Sequence, residues 1–293
     1  MKKTILLLLA LCFTSMMFAD NFVMVKVKDQ QNLRELFNKQ DLNIHYYNDN
    51  FVLATTQDLN DNMIYPVMEN AFPAKLFPVT FVPEKTLQKL RNGEKVRLLA
   101  WGDSVTECSY LPKKCRWQEQ FRQRLQKIYP QADIELLTEA WGGHSTSSFL
   151  DAPAGHEHNF CEKILAVKPD LIISEFVNDC NLPEETFSEN YCKIKEAFDQ
   201  IDAEWIILTP HYTSPDRMNF PNSKKCDDDP RLLVKFLRNF AVKNQIPLAD
   251  ASIYWGRLYR QGIPYETLFC NGINHPLEYG LSLFADALMN LFQ

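Results

Sequence analysis

K-V-R-L-L-A-W-G-D-S-V-T-E, residues 95–107, is an apolar run of strand length that stops at Gly102 and opens into a polar Asp-Ser-Val-Thr-Glu segment. From here the chain alternates strand and helix with regularity. The apolar runs are Val96 to Trp101, Ile134 to Ala140, Leu171 to Val177, Trp205 to Leu208 and Ile246 to Ala249. Amphipathic segments lie between them. Trp117, Phe121, Leu125 and Ile128 share one helical face, as do Tyr191, Ile194, Phe198 and Ile201. Asp229 before Pro230 reads as a helix cap followed by a first-turn proline, leading into Leu233, Phe236, Leu237 and Phe240. A last helix carries Leu277, Leu281, Phe284, Leu288 and Leu291. Such alternation predicts an α/β fold, a parallel sheet covered by helices on both faces.

Upstream the pattern differs. Alternating Val23, Val25 and Val27, a short helical pattern through Leu33, Leu36 and Phe37, and strand-like Ile44 to Tyr47 and Phe51 to Thr55 predict a small α+β domain of βαββ type. Pro73, Pro78 and Pro83 mark its end before a helix from Glu84 to Leu90. Residues 1–19 have the layout of a cleaved signal peptide, with Lys2-Lys3, an apolar run from Ile5 to Leu11 and a small residue at Ala19. The expected organisation is therefore signal peptide 1–19, accessory domain 20–82 and main domain 83–293. The product is expected to be exported, periplasmic or extracellular, with no membrane span, because the apolar run is too short to cross a bilayer.

A net charge of −6 gives no surface suited to phosphate, which argues against nucleic acid as a partner. Export makes disulfides plausible among the cysteines from Cys108 onward, Cys108 with Cys115 first and Cys180 with Cys192 second. Cys161 reads as a buried apolar residue within a helix. No C-x-x-C pair is present, so no structural zinc is expected.

In a parallel sheet, ligands meet the carboxyl ends of the strands. The segments there are Gly102-Asp103-Ser104-Val105-Thr106, Trp141-Gly142-Gly143-His144-Ser145 and Asn178-Asp179. A fourth, Asn271-Gly272-Ile273-Asn274-His275-Pro276, precedes the last helix. A serine hydroxyl needs a base to become a nucleophile, and neutral histidine serves near pH 7. A tetrahedral intermediate needs donors aimed at its oxygen, such as backbone N–H groups and an Asn amide. Ser104, His275, Gly143 and Asn178 together supply that set.

These blocks resemble those of SGNH/GDSL hydrolases, whose name spells Ser, Gly, Asn and His. They fall on Ser104 in W-G-D-S-V-T-E, Gly143 in W-G-G-H-S, Asn178 in F-V-N-D and His275 in N-G-I-N-H-P, over residues 95 to 293. The resemblance implies a three-layer α/β/α, flavodoxin-like sandwich with a five-stranded parallel sheet. It also implies Ser104 as nucleophile, His275 as base, and an oxyanion hole of Ser104 N–H, Gly143 N–H and the Asn178 amide. The G-x-S-x-G elbow of α/β-hydrolases is absent. Many members place Asp three residues before the His, where this chain has Gly272, or an acid four before, where it has Asn271. Asn271, a backbone carbonyl or the more distant Asp250 are left to orient the imidazole.

Asp103 and Asp179 are expected to hydrogen-bond loop backbone. His156-Glu157-His158 reads as solvated surface rather than a metal site, and the chemistry calls for no cofactor. Trp141, His144, Phe149 and Tyr212 are candidate pocket residues. The expected activity is hydrolysis of an acyl ester, acetyl on carbohydrate before long-chain lipid. The alternatives are a lipase or lysophospholipase, or a catalytically silent glycan- or envelope-binding protein.

Overall fold

The computed structural model describes residues 81–220, 229–260 and 263–292, together with the strand segments 21–27, 42–47, 51–56 and 68–74. The expected signal peptide and the helical pattern around Leu33 lie outside the described residues. The chain divides into two units, residues 1–78 and 79–292.

In the first unit, β1 (Asn21–Val27), β2 (Leu42–Tyr47), β3 (Phe51–Thr56) and β4 (Met68–Ala74) form an antiparallel sheet in the order β2-β3-β1-β4. Strand β4 is missing from the sequence reading because Pro73 reads as punctuation. It lies at the sheet edge, where a residue without an N–H is tolerated.

The second unit is built on β5 (Lys95–Gly102), β6 (Asp133–Ala140), β7 (Leu171–Glu175), β8 (Glu204–Leu208) and β9 (Leu248–Ala249). All five are parallel, in the order β6-β5-β7-β8-β9. Counted from the first strand of the sheet this is 2-1-3-4-5, so the order reverses on either side of β5 and opens a crevice between the ends of β5 and β7.

Helices cover both faces, as expected. On one face, Leu99 and Trp101 meet Phe187, Tyr191, Ile194 and Phe198 of α5 (Glu184–Gln200) and Leu233, Leu237 and Phe240 of α7 (Leu232–Asn244). The alternation of a strand sends Leu98 and Ala100, both buried, to the other face. The helices of that layer are α3 (Trp117–Ile128), α8 (Ala251–Arg260) and α9 (Glu278–Met289), with α9 packing on both α3 and α8. Of the remaining helices, α1 (Glu84–Arg91) packs on β5, α2 (Ser104–Glu107) and α4 (Thr146–Asp151) follow the ends of β5 and β6, and α6 (Pro215–Met218) follows β8.

Some local expectations are corrected. Strand β7 ends at Glu175 because the chain turns at Val177 into a 3₁₀ segment carrying Asn178. Strand β9 is short because Pro247 has no N–H to donate, although its carbonyl still accepts from Ile207 N–H at 3.1 Å. Ile128, at the end of α3, is 41% exposed. Asp229 does not cap α7, whose cap is Arg231; it accepts from Arg231 N–H at 3.0 Å and pairs with the same residue's guanidinium. Cys161 is exposed, in a π-helical turn at 161–165. Cys108, Cys115, Cys180 and Cys192 are all free thiols, so neither expected disulfide is formed.

Trp101 centres the core beneath the end of β5, touching Phe149, Phe160, Phe176 and Phe198 at ring-centroid distances of 4.8–6.0 Å. Next to it, Gly102 leaves no room for a side chain. A Cβ there would press far inside van der Waals contact on Thr106 Oγ1 and the Glu175 carbonyl. Gly102→Ala is therefore expected to destabilise the fold by roughly 1–3 kcal/mol, the usual cost of overpacking. Denaturant unfolding measures it, and a midpoint equal to that of the parent chain contradicts the close approach.

Candidate active site

Ser104 begins α2, two residues beyond the end of β5 and in the crevice between β5 and β7. Asp103 caps that turn and joins it to the next strand end. Its Oδ1 accepts from Val105 N–H at 3.0 Å and its Oδ2 from Asn178 N–H at 2.9 Å. Its own N–H donates to the Glu175 carbonyl at 3.3 Å. Both carboxyl groups are fully buried. Burial pushes Asp103 up to about 7 against the backbone N–H bonds that favour its charge. Burial and then the charge of Asp103 raise Glu175 well above the ordinary carboxylate value. Asp179 accepts Thr146 N–H at 2.9 Å and Thr146 Oγ1–H at 3.0 Å, tying α4 to the same floor. Both aspartates thus bond to neighbouring loops, as their sequence context suggests.

The loop after β6 folds over Ser104. Trp141 N–H donates to the Gly102 carbonyl at 3.0 Å, and His144 N–H closes a turn onto the Trp141 carbonyl at 3.2 Å. That bond leaves Gly143 N–H out of the turn, and Gly143 takes φ +79°, which glycine adopts without strain. Gly142 backs directly onto the Glu107 carboxylate, and a Cβ on it would lie 3.7 Å from Ser104 Cβ. The Asn178 amide donates one N–H to the His144 carbonyl at 3.1 Å, which fixes the direction of its second.

His275 comes from the far end of the chain. Its Nε2 lies 3.1 Å from Ser104 Oγ, within hydrogen-bond reach. The four carbonyls from Ile273 to Pro276 are each held. Ile273 accepts from Ser214 N–H at 2.7 Å, Asn274 from His211 Nε2–H at 2.8 Å, and His275 from Cys270 N–H at 2.9 Å. Pro276 accepts from the Tyr110 hydroxyl at 3.1 Å. His211 is fully buried, and burial followed by the nearby Arg231 drives it down to about 3, so it acts as a neutral donor. Burial also lowers His275 below its ordinary 6.5, while the Glu107 charge pulls the other way. The imidazole is accordingly a neutral acceptor near pH 7.

The structure brings Ser104, His275, Asn178 and the Gly142–Gly143 turn to one crevice. Other candidates go elsewhere. Asn271 does not face the imidazole: its Oδ1 accepts the backbone N–H groups of Ile273, Asn274 and His275, each at 3.0 Å. Asp250 is engaged by Arg238 at 2.8 Å and Thr209 Oγ1 at 2.9 Å. Tyr212 is fully buried among Phe220, Tyr259 and Tyr265, and Phe149 is fully buried against Trp101, so neither is a pocket residue. Trp141 and His144 do lie at the site, stacked with centroids 3.7 Å apart. His156 and His158 are not solvated surface but gather round the same indole at 4.9 and 4.6 Å, with His158 Nδ1 on Glu139 at 2.6 Å.

The sequence reading missed Glu107, Tyr110, His211, Arg231 and Glu175. Of these only Glu107 carries a local signal, three residues after Ser104 on the same helical turn.

Neither protein-family models nor curated proteins give a match to this sequence. Solved structures do. A two-domain esterase active on acetylated mannans matches with TM-score 0.57 and 16% identity, over 73% of this chain and 56% of its own. This chain therefore spans about half the length of that esterase. An acetyl xylan esterase matches with TM-score 0.54 and 15% identity, over 67% of this chain and 98% of its own. A G-D-S-L-family protein from Desulfitobacterium hafniense follows at TM-score 0.51 and 17% identity, over 67% and 99%. The chain has the SGNH/GDSL hydrolase fold. In the present version of that fold His275 stands beside Ser104, with Glu107 as the carboxylate whose charge reaches the imidazole. Glu107→Gln is expected to make His275 titrate at lower pH than in the parent chain, read from the imidazole signals by NMR. An unchanged or higher midpoint contradicts the electrostatic link.

Proposed function

We propose that this chain is an exported carboxylic ester hydrolase that removes acyl groups, acetyl first, from carbohydrate through a Ser104 acyl-enzyme. The observation that carries this reading is the 3.1 Å approach of His275 Nε2 to Ser104 Oγ at the carboxyl end of a parallel sheet. His275 takes the hydroxyl proton as Ser104 attacks the ester carbonyl. The developing oxyanion is received by Ser104 N–H, Gly143 N–H and the free N–H of the Asn178 amide. His275 then protonates the departing alcohol. Water, deprotonated by His275, releases the acid and restores Ser104.

Two of the neighbouring folds belong to esterases named for acetylated polysaccharides, which favours acetyl esters of glycans over lipids. The Lys2-Lys3 start, apolar run and Ala19 support export. Among the described residues no helix is long and apolar enough to cross a membrane.

The test is hydrolysis of p-nitrophenyl acetate and p-nitrophenyl octanoate by the mature chain. Acetate turnover is expected to exceed octanoate turnover. Ser104→Ala and His275→Ala, each checked for folding, are expected to lose about a thousandfold or more in kcat. Folded variants as active as the parent would refute the assignment, and octanoate preference would redirect it to lipid esters. The pH profile gives a second check. His275 must be neutral to accept the proton and its pKa is lowered, so kcat/KM is expected to rise with pH to a plateau with its midpoint below 6.5. A midpoint above 6.5 contradicts this description of the base.

A further inference from the structure

Among the described residues no carboxylate hydrogen-bonds the His275 imidazole. Gly272 has no side chain, Asn271 turns its oxygen to the loop backbone, and Asp250 is engaged by Arg238, Thr209 and Ser252. What meets the imidazole is an aromatic face. The Tyr110 ring lies parallel to the His275 ring within 8°, with centroids 4.8 Å apart. Tyr110 is itself anchored, because its hydroxyl donates to the carbonyl of Pro276, the residue that follows His275. The chain reaches this position by a left-handed residue, Cys108 at φ 47°, which ends α2 and turns the backbone toward the His275 loop. One short segment therefore presents the nucleophile at Ser104 and, six residues later, the surface on which the base rests.

From this juxtaposition we propose that Tyr110 is the positioning residue for His275, doing by stacking and loop anchoring what a triad acid does by hydrogen bonding. The proposal rests on the reading of Ser104 and His275 as nucleophile and base. A parallel stack fixes the plane of the imidazole and so the direction from Nε2 to Ser104 Oγ, while the hydroxyl bond to Pro276 fixes its height. When His275 takes the serine proton, the ring becomes a cation against the face of a phenol, which attracts it more strongly than it attracts the neutral form. The stack therefore favours the protonated base formed in the transition state. The other ionisable groups around His275 and its partner among the described residues are Glu107 on α2, the buried neutral His211 behind Asn274, and the thiols of Cys108 and Cys270 and the buried Glu175 carboxyl near Tyr110. Burial pushes the Cys108 thiol up to about 11 and raises that of Cys270, so neither adds charge near neutral pH.

The experiment compares the parent chain with Tyr110→Leu, Tyr110→Phe and Ser104→Ala. It measures p-nitrophenyl acetate kinetics across pH, thermal melting, and NMR titration of His275. Tyr110→Leu is expected to lower kcat roughly tenfold, the order a cation–aromatic contact supports, with KM changed less than about twofold. The same variant should move the His275 titration to lower pH. Tyr110→Phe keeps the ring and is expected to restore the titration and most of kcat. Leu and Phe variants of equal melting temperature exclude a merely structural loss. Parent-like kcat and titration in Tyr110→Leu, with Ser104→Ala inactive, would overturn the positioning role, as would equal losses in Leu and Phe. A parent chain no faster than Ser104→Ala would overturn the reading of the site and the positioning role with it; the NMR titration still reports on the stack, because it needs no turnover.

Discussion

The Asp103 carboxyl group joins two loops that the chain makes 75 residues apart. One oxygen holds Val105 N–H at the start of the Ser104 turn and the other holds Asn178 N–H after β7. Because Asp103 is fully buried, no water competes for these bonds, and the spacing between Ser104 and Asn178 is set by a single side chain. Donors fixed in this way need no reorganisation to meet a charge placed between them. The arrangement has an electrostatic cost, because burial pushes the carboxyl groups of Asp103 and Glu175 upward and the charge of Asp103 repels that of Glu175. The close approach of Gly102 to the Glu175 carbonyl is what lets β5 and β7 end together over this carboxyl group.

His275 is held by a different logic. The segment from Ile273 to Pro276 belongs to no helix or strand, and its direction is imposed through its carbonyl groups by Ser214, His211, Cys270 and Tyr110. His211 is in turn braced from below. Arg231 donates to the carbonyls of His211 at 2.7 Å and Pro210 at 2.9 Å, while Asp229 neutralises its buried charge at 2.6 Å. A chain of polar contacts thus runs from the start of α7 through the end of β8 to His275. Breaking one partner of a buried ion pair is costly because the other is left charged and unpaired, which makes this brace stiff.

Much of the scaffold was legible in advance because it rests on local pattern. Val96 to Trp101 and Leu171 onward are apolar runs of strand length, and the faces through Phe121 and Phe198 repeat at helical spacing, so periodicity places them in strands and helices. The readings that failed needed information from outside the local window. Asp229 looks like a cap beside Pro230, but the buried Arg231 guanidinium competes for its oxygens. Tyr212 follows a strand end like a pocket residue, yet Phe220, Tyr259 and Tyr265 close over it. His156 and His158 look solvated until Trp141 is seen to draw both against its ring.

The sequence by itself determined the order of strands and helices and the four blocks that carry Ser104, Gly143, Asn178 and His275, because these depend on residue type and short spacing. Only the tertiary structure decided which groups surround His275. Asn271, four residues away in sequence, turns its side chain to the backbone. Tyr110, 165 positions away by residue number, lies flat against the imidazole. Side chains close in sequence compete for the same backbone donors, whereas packing one loop on another brings distant rings face to face, and no local pattern records that meeting.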